Sequence, residues 1–407
     1  MKVVRIASAG LAASALALAG VVLAFGRAAD TPPASPSTTA PLVVHEWGTF
    51  TSFSGSDGVP STFTPNYTDI PEFVYSQTGP SEGKGTRLRD GTVSMETPVL
   101  YFYSEQALKL SVKVGFPKGW ITEWYPFAAK EPSPTQSRSP GQTMEWNVRL
   151  LPGEKVKFPG QYRDERDHYY FARETDAVPV QAEVQPRPGE PVRNHDLRGG
   201  SVVQREKFLF YRGVGTFAPP MKMKALGGGE VKINANADCS VDGLVIVNVR
   251  GGKVGFQTLG NITTGGEIRT TIPEANGSTS ALAAAMVKQL VAAGLYEKEA
   301  KAMVDTWDSA WFGEEGTRLL YLVPRTRTDE LLPLTIAPKP ETVVRVLVGR
   351  HDFLTPEQEA MADKQLKRVK AAQAELSAAE TELRKIGRFQ WQAREQAERR
   401  ATPVTQR

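Results

Sequence analysis

Between Pro41 and Pro273 apolar and polar residues alternate, and a period of two restricts this stretch to strands that bury one face. Leu110, Val112, Val114 and Phe116 alternate with Lys109, Ser111 and Lys113. Met144, Trp146, Val148 and Leu150 alternate with Glu145, Asn147 and Arg149. Such segments belong in antiparallel sheets with one solvated face. Val99–Tyr103 (VLYFY) and Phe208–Tyr211 (FLFY) are apolar throughout, as expected of central strands covered on both sides. Leu244–Val249 makes a further strand after the Asp242-Gly243 turn. Gly and Pro pairs, among them Pro152-Gly153, Gly227–Gly229 and Gly251-Gly252, punctuate the runs. The expected fold class is mainly β (α+β): an antiparallel β-sandwich or open-barrel body with a helical hairpin and a long C-terminal helix.

The period changes after Ser280. Leu282, Met286 and Leu290 stand four apart, and Gly294 stops the helix they define. Ala300, Val304, Trp307 and Trp311 form the stripe of a second helix. That Trp stripe is read as a packing face. Strands return at Arg318–Val323 and Thr342–Gly349. Thr355-Pro356 then opens a long helix, with Thr at the cap, Pro in the first turn and Glu357 and Glu359 near its positive end. Val369, Leu376 and Leu383 repeat every seven residues with Ala372, Ala379 and Ile386 between them, a narrow seam suited to one partner helix or to the protein's own body.

The first thirty residues carry Lys2 and Arg5 ahead of an uncharged run, Ile6–Phe25, followed by small residues for cleavage near Ala28. The expectation is a cleaved signal peptide over an uncleaved anchor, and no cysteine follows for a lipid anchor. A Pro/Ser/Thr segment too polar to fold comes next. The chain is therefore divided into a signal peptide (1–29), a linker (30–40), an antiparallel β body (41–274), a helical hairpin plus strands (275–354), and a long helix and tail (355–407). An exported chain whose only cysteine is Cys239 has no internal disulfide, so its core must be sufficient without one.

The formal net charge of +4 is unevenly placed. The leader contributes +2 (Lys2, Arg5 and Arg27 against Asp30). Pro356–Arg407 contributes +3 (eleven basic against eight acidic residues), which leaves about −1 for the body. A nucleic-acid partner calls for a basic face, and the body has none in its composition.

Four histidines, His45, His168, His195 and His351, show no HExxH, HxH or zinc-finger spacing, so neither a metal nor a cofactor is specified locally. The GxSxG match at Gly79–Gly83 lacks a strand before it and a helix after it, and Ser81 and Lys84 have no SDN or KTG partner. Two segments mix chemistry-bearing groups. In HEWGTF (His45–Phe50), His45 and Glu46 point to opposite faces of a strand, so His45 can serve as ligand or general base while Glu46 supports another network, with Trp47 beside them. In DERDHYYFARE (Asp164–Glu174), a strand places His168 and Tyr170 on one face, and Arg173 can fork onto oxyanions while aromatic faces stack on a glycan. Asp352 in RHDF is read as a helix-capping group.

HEWGTF, METPVLYFY (Met95–Tyr103), EKFLFYRGVG (Glu206–Gly215) and WFGEEGTRLLYLVP (Trp311–Pro324) together resemble an uncharacterised family of exported bacterial proteins with an N-terminal HEWGTF motif. The resemblance implies a Gram-negative-type envelope location, periplasmic or extracellular, and carries no catalytic residue. The expected role is binding or scaffolding, with an envelope protein or a glycan as partner, no nucleic acid, and no membrane span after cleavage of the leader. The alternative is a metal-assisted envelope hydrolase using His45 and His168 with Glu46 or Glu174, and Trp47, Tyr170 and Arg173 in ligand contact.

Overall fold

The computed structural model describes residues 41–61, 63, 70–71, 73–77, 91–133, 138–160, 168–183, 203–385 and 390–401. The leader, the linker, Gly79–Gly83, Lys84, Asp164–Asp167, His195 and Ile386 lie outside the described residues.

The strands follow the alternation. They are β1 (Val43–Ser54), β2 (Tyr75–Ser76), β3 (Val93–Tyr103), β4 (Lys109–Phe116), β5 (Gly119–Tyr125) and β6 (Gln142–Leu150). After a 3-10 helix (His168–Arg173) come β7 (Val180–Glu183), β8 (Val203–Glu206), β9 (Leu209–Gly215), β10 (Met221–Gly227) and β11 (Glu230–Ala235). β12 (Val241–Arg250), β13 (Lys253–Ile262) and β14 (Glu267–Thr271) precede the hairpin of α1 (Thr279–Ala292) and α2 (Glu297–Asp308). A π-helical turn (Ser309–Gly313), β15 (Gly316–Val323), α3 (Arg325–Leu331), β16 (Leu334–Ala337), β17 (Thr342–Phe353), α4 (Pro356–Arg384) and α5 (Gln390–Ala401) complete the order.

Among the described residues three open sheets result, and none of them closes into a barrel. Nine strands run β13-β12-β15-β17-β1-β3-β9-β5-β2, five run β16-β4-β6-β7-β8, and three run β10-β11-β14. Pairing is antiparallel except between β1 and β17, which run parallel from Val43↔Thr342 to Ser54↔Phe353. Strands from before and after residue 274 thus interleave in one sheet, with β15 and β17 inserted between β12 and β1.

β4 and β6 bury alternate residues, whereas β9 is buried at every position and β3 at all but its last. The all-apolar runs of β3 and β9 are covered on both faces of the nine-stranded sheet. On one side Trp146 of β6 lies against Tyr211 of β9, with ring centroids 6.1 Å apart. On the other side Tyr169 of the 3-10 helix meets Phe208 and Phe210 at 5.2 and 5.4 Å. α2 packs against the same 3-10 helix. The Trp stripe is a packing face, since Trp307 and Trp311 are buried and stacked. Close approach of β15 and β17 depends on Gly349, where a Cβ would come 2.2 Å from the Tyr321 ring. Cys239 is buried, and burial raises its thiol pKa, as suits a small core residue rather than a nucleophile.

Two local readings are corrected. His168–Arg173 form a 3-10 helix rather than a strand, because tertiary contacts of Tyr169 and Arg173 override the β-prone composition. Asp352 does not cap α4. Thr355 accepts from Gln358 N at 3.3 Å while the Gln358 side chain returns to Thr355 N at 2.9 Å, a capping box. Asp352 instead pairs with Arg350 at 2.6 Å and with buried Arg318 at 3.1 Å.

Candidate functional site

β1 carries HEWGTF through the centre of the nine-stranded sheet, and its pleat sends successive side chains to opposite faces. His45 faces α2. Its Nδ1 donates to Glu299 Oε2 at 2.6 Å, and among the described residues Nε2 carries no hydrogen bond. Glu299 is 0% exposed and collects two further donors, Tyr103 OH at 2.6 Å and Tyr296 N at 2.8 Å. The latter belongs to the capping box that starts α2, so the start of the helix sets the carboxylate. The imidazole lies 4.4 Å from the Tyr296 ring and 5.4 Å from that of Tyr103. Burial first, and then Glu299, push the Tyr103 phenol far above its ordinary range, which keeps it a donor. A carboxylate that orients an imidazole in this way leaves Nε2 as the one atom suited to a ligand or proton.

Three donors on one carboxylate make a checkable arrangement. Glu299→Gln places an amide NH2 where an acceptor is needed, and a stability loss of about 1–3 kcal/mol is expected in urea denaturation.

Glu46 faces the other way. Its Oε2 accepts from Arg345 Nε at 2.5 Å and its Oε1 from Tyr211 OH at 2.8 Å. Arg345 Nη1 continues to Asp329 at 2.7 Å, and Nη2 is buried with no hydrogen-bond partner among the described residues. Burial pulls the Arg345 guanidinium down, but Glu46 and Tyr211 outweigh it and hold it above its ordinary value. His45 and Glu46 therefore serve two separate networks.

Trp47 is fully buried against Tyr101, with ring centroids 6.1 Å apart. Gly48 lies against Pro98 of METPVLYFY, where a Cβ would sit 3.0 Å from the Pro98 Cα, at a bulge in the β1–β3 ladder. The two motifs thus meet in the sheet.

Arg173 turns its fork onto buried Glu206, with Nη2 at 2.6 Å and Nε at 2.9 Å. Its guanidinium is surrounded by the rings of Tyr170 (4.8 Å), Phe158 (5.2 Å), Tyr169 (5.6 Å) and Phe73 (5.9 Å). Tyr170 is half-buried in this cage, and Glu174 is exposed beyond it. His168 begins the 3-10 helix, which packs on α2.

Sequence reasoning missed Glu299, whose only signal is its place three residues after Tyr296 at a helix start. It also missed Arg345, Glu206 and the Ser52–His351–Ser54 cluster. In that cluster, His351 Nδ1 and Nε2 lie 2.8 and 3.0 Å from the two hydroxyls. Among the described residues no group of three or more His, Cys, Asp or Glu side chains is arranged to hold a metal. No described helix is long and apolar enough to cross a membrane.

No protein-family model and no curated protein matches the chain. Among solved structures, the yeast delta-COP-I mu-homology domain aligns over 78% of this chain and 97% of its own length, at 6% identity and a TM-score of 0.26. The same domain complexed with a Dsl1 WxWxV peptide aligns over equal shares at 7% identity and a TM-score of 0.26. Scores of this size do not establish a common fold.

Proposed function

We propose that this is an exported bacterial envelope protein that binds or scaffolds partners, with α4 as its contact element. The observation that carries the reading is the exposure of α4. Among the described residues only its first turn is held, through Glu357 to Gly228 N at 2.9 Å and Glu359 to Ser56 N at 2.8 Å. Every residue from Met361 to Ala379 is exposed, including Val369 at 53% and Leu376 at 60%. A helix of 29 residues spans about 43 Å. Helices draw most of their stability from packing, so one whose length beyond the first turn is exposed among the described residues is suited to a partner. The pairing of His45, Glu46 and Arg173 in separate networks also favours this reading over the hydrolase. Export rests on the leader sequence.

Deleting Pro356–Arg407 is expected to leave a folded body, with a melting temperature shifted by no more than about 4 °C. It should abolish an envelope partner that the full chain retains in a crosslinked pull-down. Identical partners with and without the segment would reject α4 as the contact. Fractionation with N-terminal sequencing is expected to find a periplasmic or extracellular chain beginning near Asp30. A cytosolic chain that keeps its leader would reject export.

A further inference from the structure

The outward face of the three-stranded sheet gathers cations, in a body whose own charge is about −1. Met221, Met223, Val231 and Ile233 turn into the core, and the alternate residues of β10 and β11 face outward. The register sets Lys224 directly opposite Lys232, and Lys232 directly opposite Arg269. Neighbouring strands lie roughly 4.8 Å apart, so these residues form one straight basic row about 10 Å long. Like charges set opposite one another work against the pairing of their strands, so the row does nothing for the fold. Lys222 stands beside it on the same face of β10. Glu267 holds Lys232 at 2.6 Å, Arg269 at 3.1 Å and Asn234 Nδ2 at 3.0 Å. Lys222 and Lys224 have no carboxylate partner among the described residues. We infer that this face binds a linear acidic polysaccharide, one that carries carboxylates on successive sugar rings. The inference goes beyond the α4 contact and does not depend on it.

Charge complementarity carries the assignment. Lysines on β10 and β11 supply point charges, and the Arg269 guanidinium, exposed at the far end of the row, can fork onto a carboxylate. The step from one cation to the next is close to the advance of a linear sugar chain per ring. A lipid surface or a protein partner calls for an apolar centre, whereas Leu226, at the turn end of β10, is the one apolar side chain among the outward positions. A single-stranded nucleic acid calls for aromatic rings on which bases stack, and the outward positions hold none. The pairs made by Glu267 lie at the surface, where such pairs contribute little, so Lys232 and Arg269 can exchange that carboxylate for one on the polymer.

The test titrates the full chain with sodium polygalacturonate in a calorimeter, with neutral dextran as reference. Polygalacturonate is expected to bind and dextran not, and raising salt from about 0.05 to about 0.5 M should weaken binding at least tenfold. Lys224→Gln with Lys232→Gln should weaken it about tenfold. Glu267→Gln should strengthen it about threefold, because it releases Lys232 and Arg269. Lys367→Gln with Arg368→Gln removes the same charge from α4 and should leave Kd unchanged. None of these side chains is buried, so circular dichroism should match the parent throughout. No binding of polygalacturonate, an equal loss from the two double variants, or weaker binding by Glu267→Gln would overturn the inference. So would tighter binding, through the same lysines, of phosphatidylglycerol vesicles, a DNA oligonucleotide or polyglutamate.

Discussion

Glu46→Ala is expected to destabilise the folded chain by about 3–5 kcal/mol, the cost of removing one member of a buried ion pair. The substitution strips Arg345 Nε and the Tyr211 hydroxyl of their acceptor, in a place where Arg345 Nη2 is already without one among the described residues. Asp329 still meets Nη1, but its side chain is largely solvated and offsets little of the loss. Glu46→Gln keeps the volume and the Tyr211 bond and should cost less. Glu46→Leu combined with Arg345→Met should recover most of the stability, because a well-packed apolar pair often replaces a buried ion pair without loss. Urea denaturation of the four chains tests the prediction. A loss under about 1 kcal/mol for Glu46→Ala would mean that water reaches Arg345.

Acid is expected to weaken the junction of β1 and β17 through His351. Burial lowers this imidazole from 6.5 to about 4, against a smaller opposing pull from Asp352. The unfolded chain takes up the proton as pH falls through 6.5, and the folded chain resists until about 4. The contribution is therefore complete above pH 6.5 and falls away between 6.5 and 4, by about 3 kcal/mol in all. His351→Gln removes the titration and keeps a group able to hydrogen-bond Ser52 or Ser54. Urea stability at pH 6.5 and pH 4.5 should drop further for the parent than for the variant, which also subtracts the titration of surface carboxylates. Equal drops would show that His351 is not held neutral by burial.

Much of the architecture was legible because it rests on local period. The alternation of β4 and β6, the apolar runs of β3 and β9, the hairpin of α1 and α2 and the Thr355-Pro356 start of α4 all follow from side-chain direction and capping. The blocks behind the family resemblance fall largely on β1, β3, β9 and β15 of the nine-stranded sheet. The site was less legible. Strand parity separates His45 from Glu46, but their partners arrive from 254 and 299 residues away. His168–Arg173 read as a strand because aromatic residues favour one. Packing on Phe208 and Phe210 and the Glu206 pair made the segment helical instead.

The order of residues alone determined which faces turn inward, where helices begin and how charge is distributed along α4, since each depends on neighbours within a turn or a pleat. Only the assembled sheet decided that β1 runs parallel beside β17, that Glu299 meets His45 and that Arg173 is closed by Glu206. Those pairings join distant segments, and their energy depends on burial and on which groups are left to satisfy one another, quantities that exist only once the chain has packed.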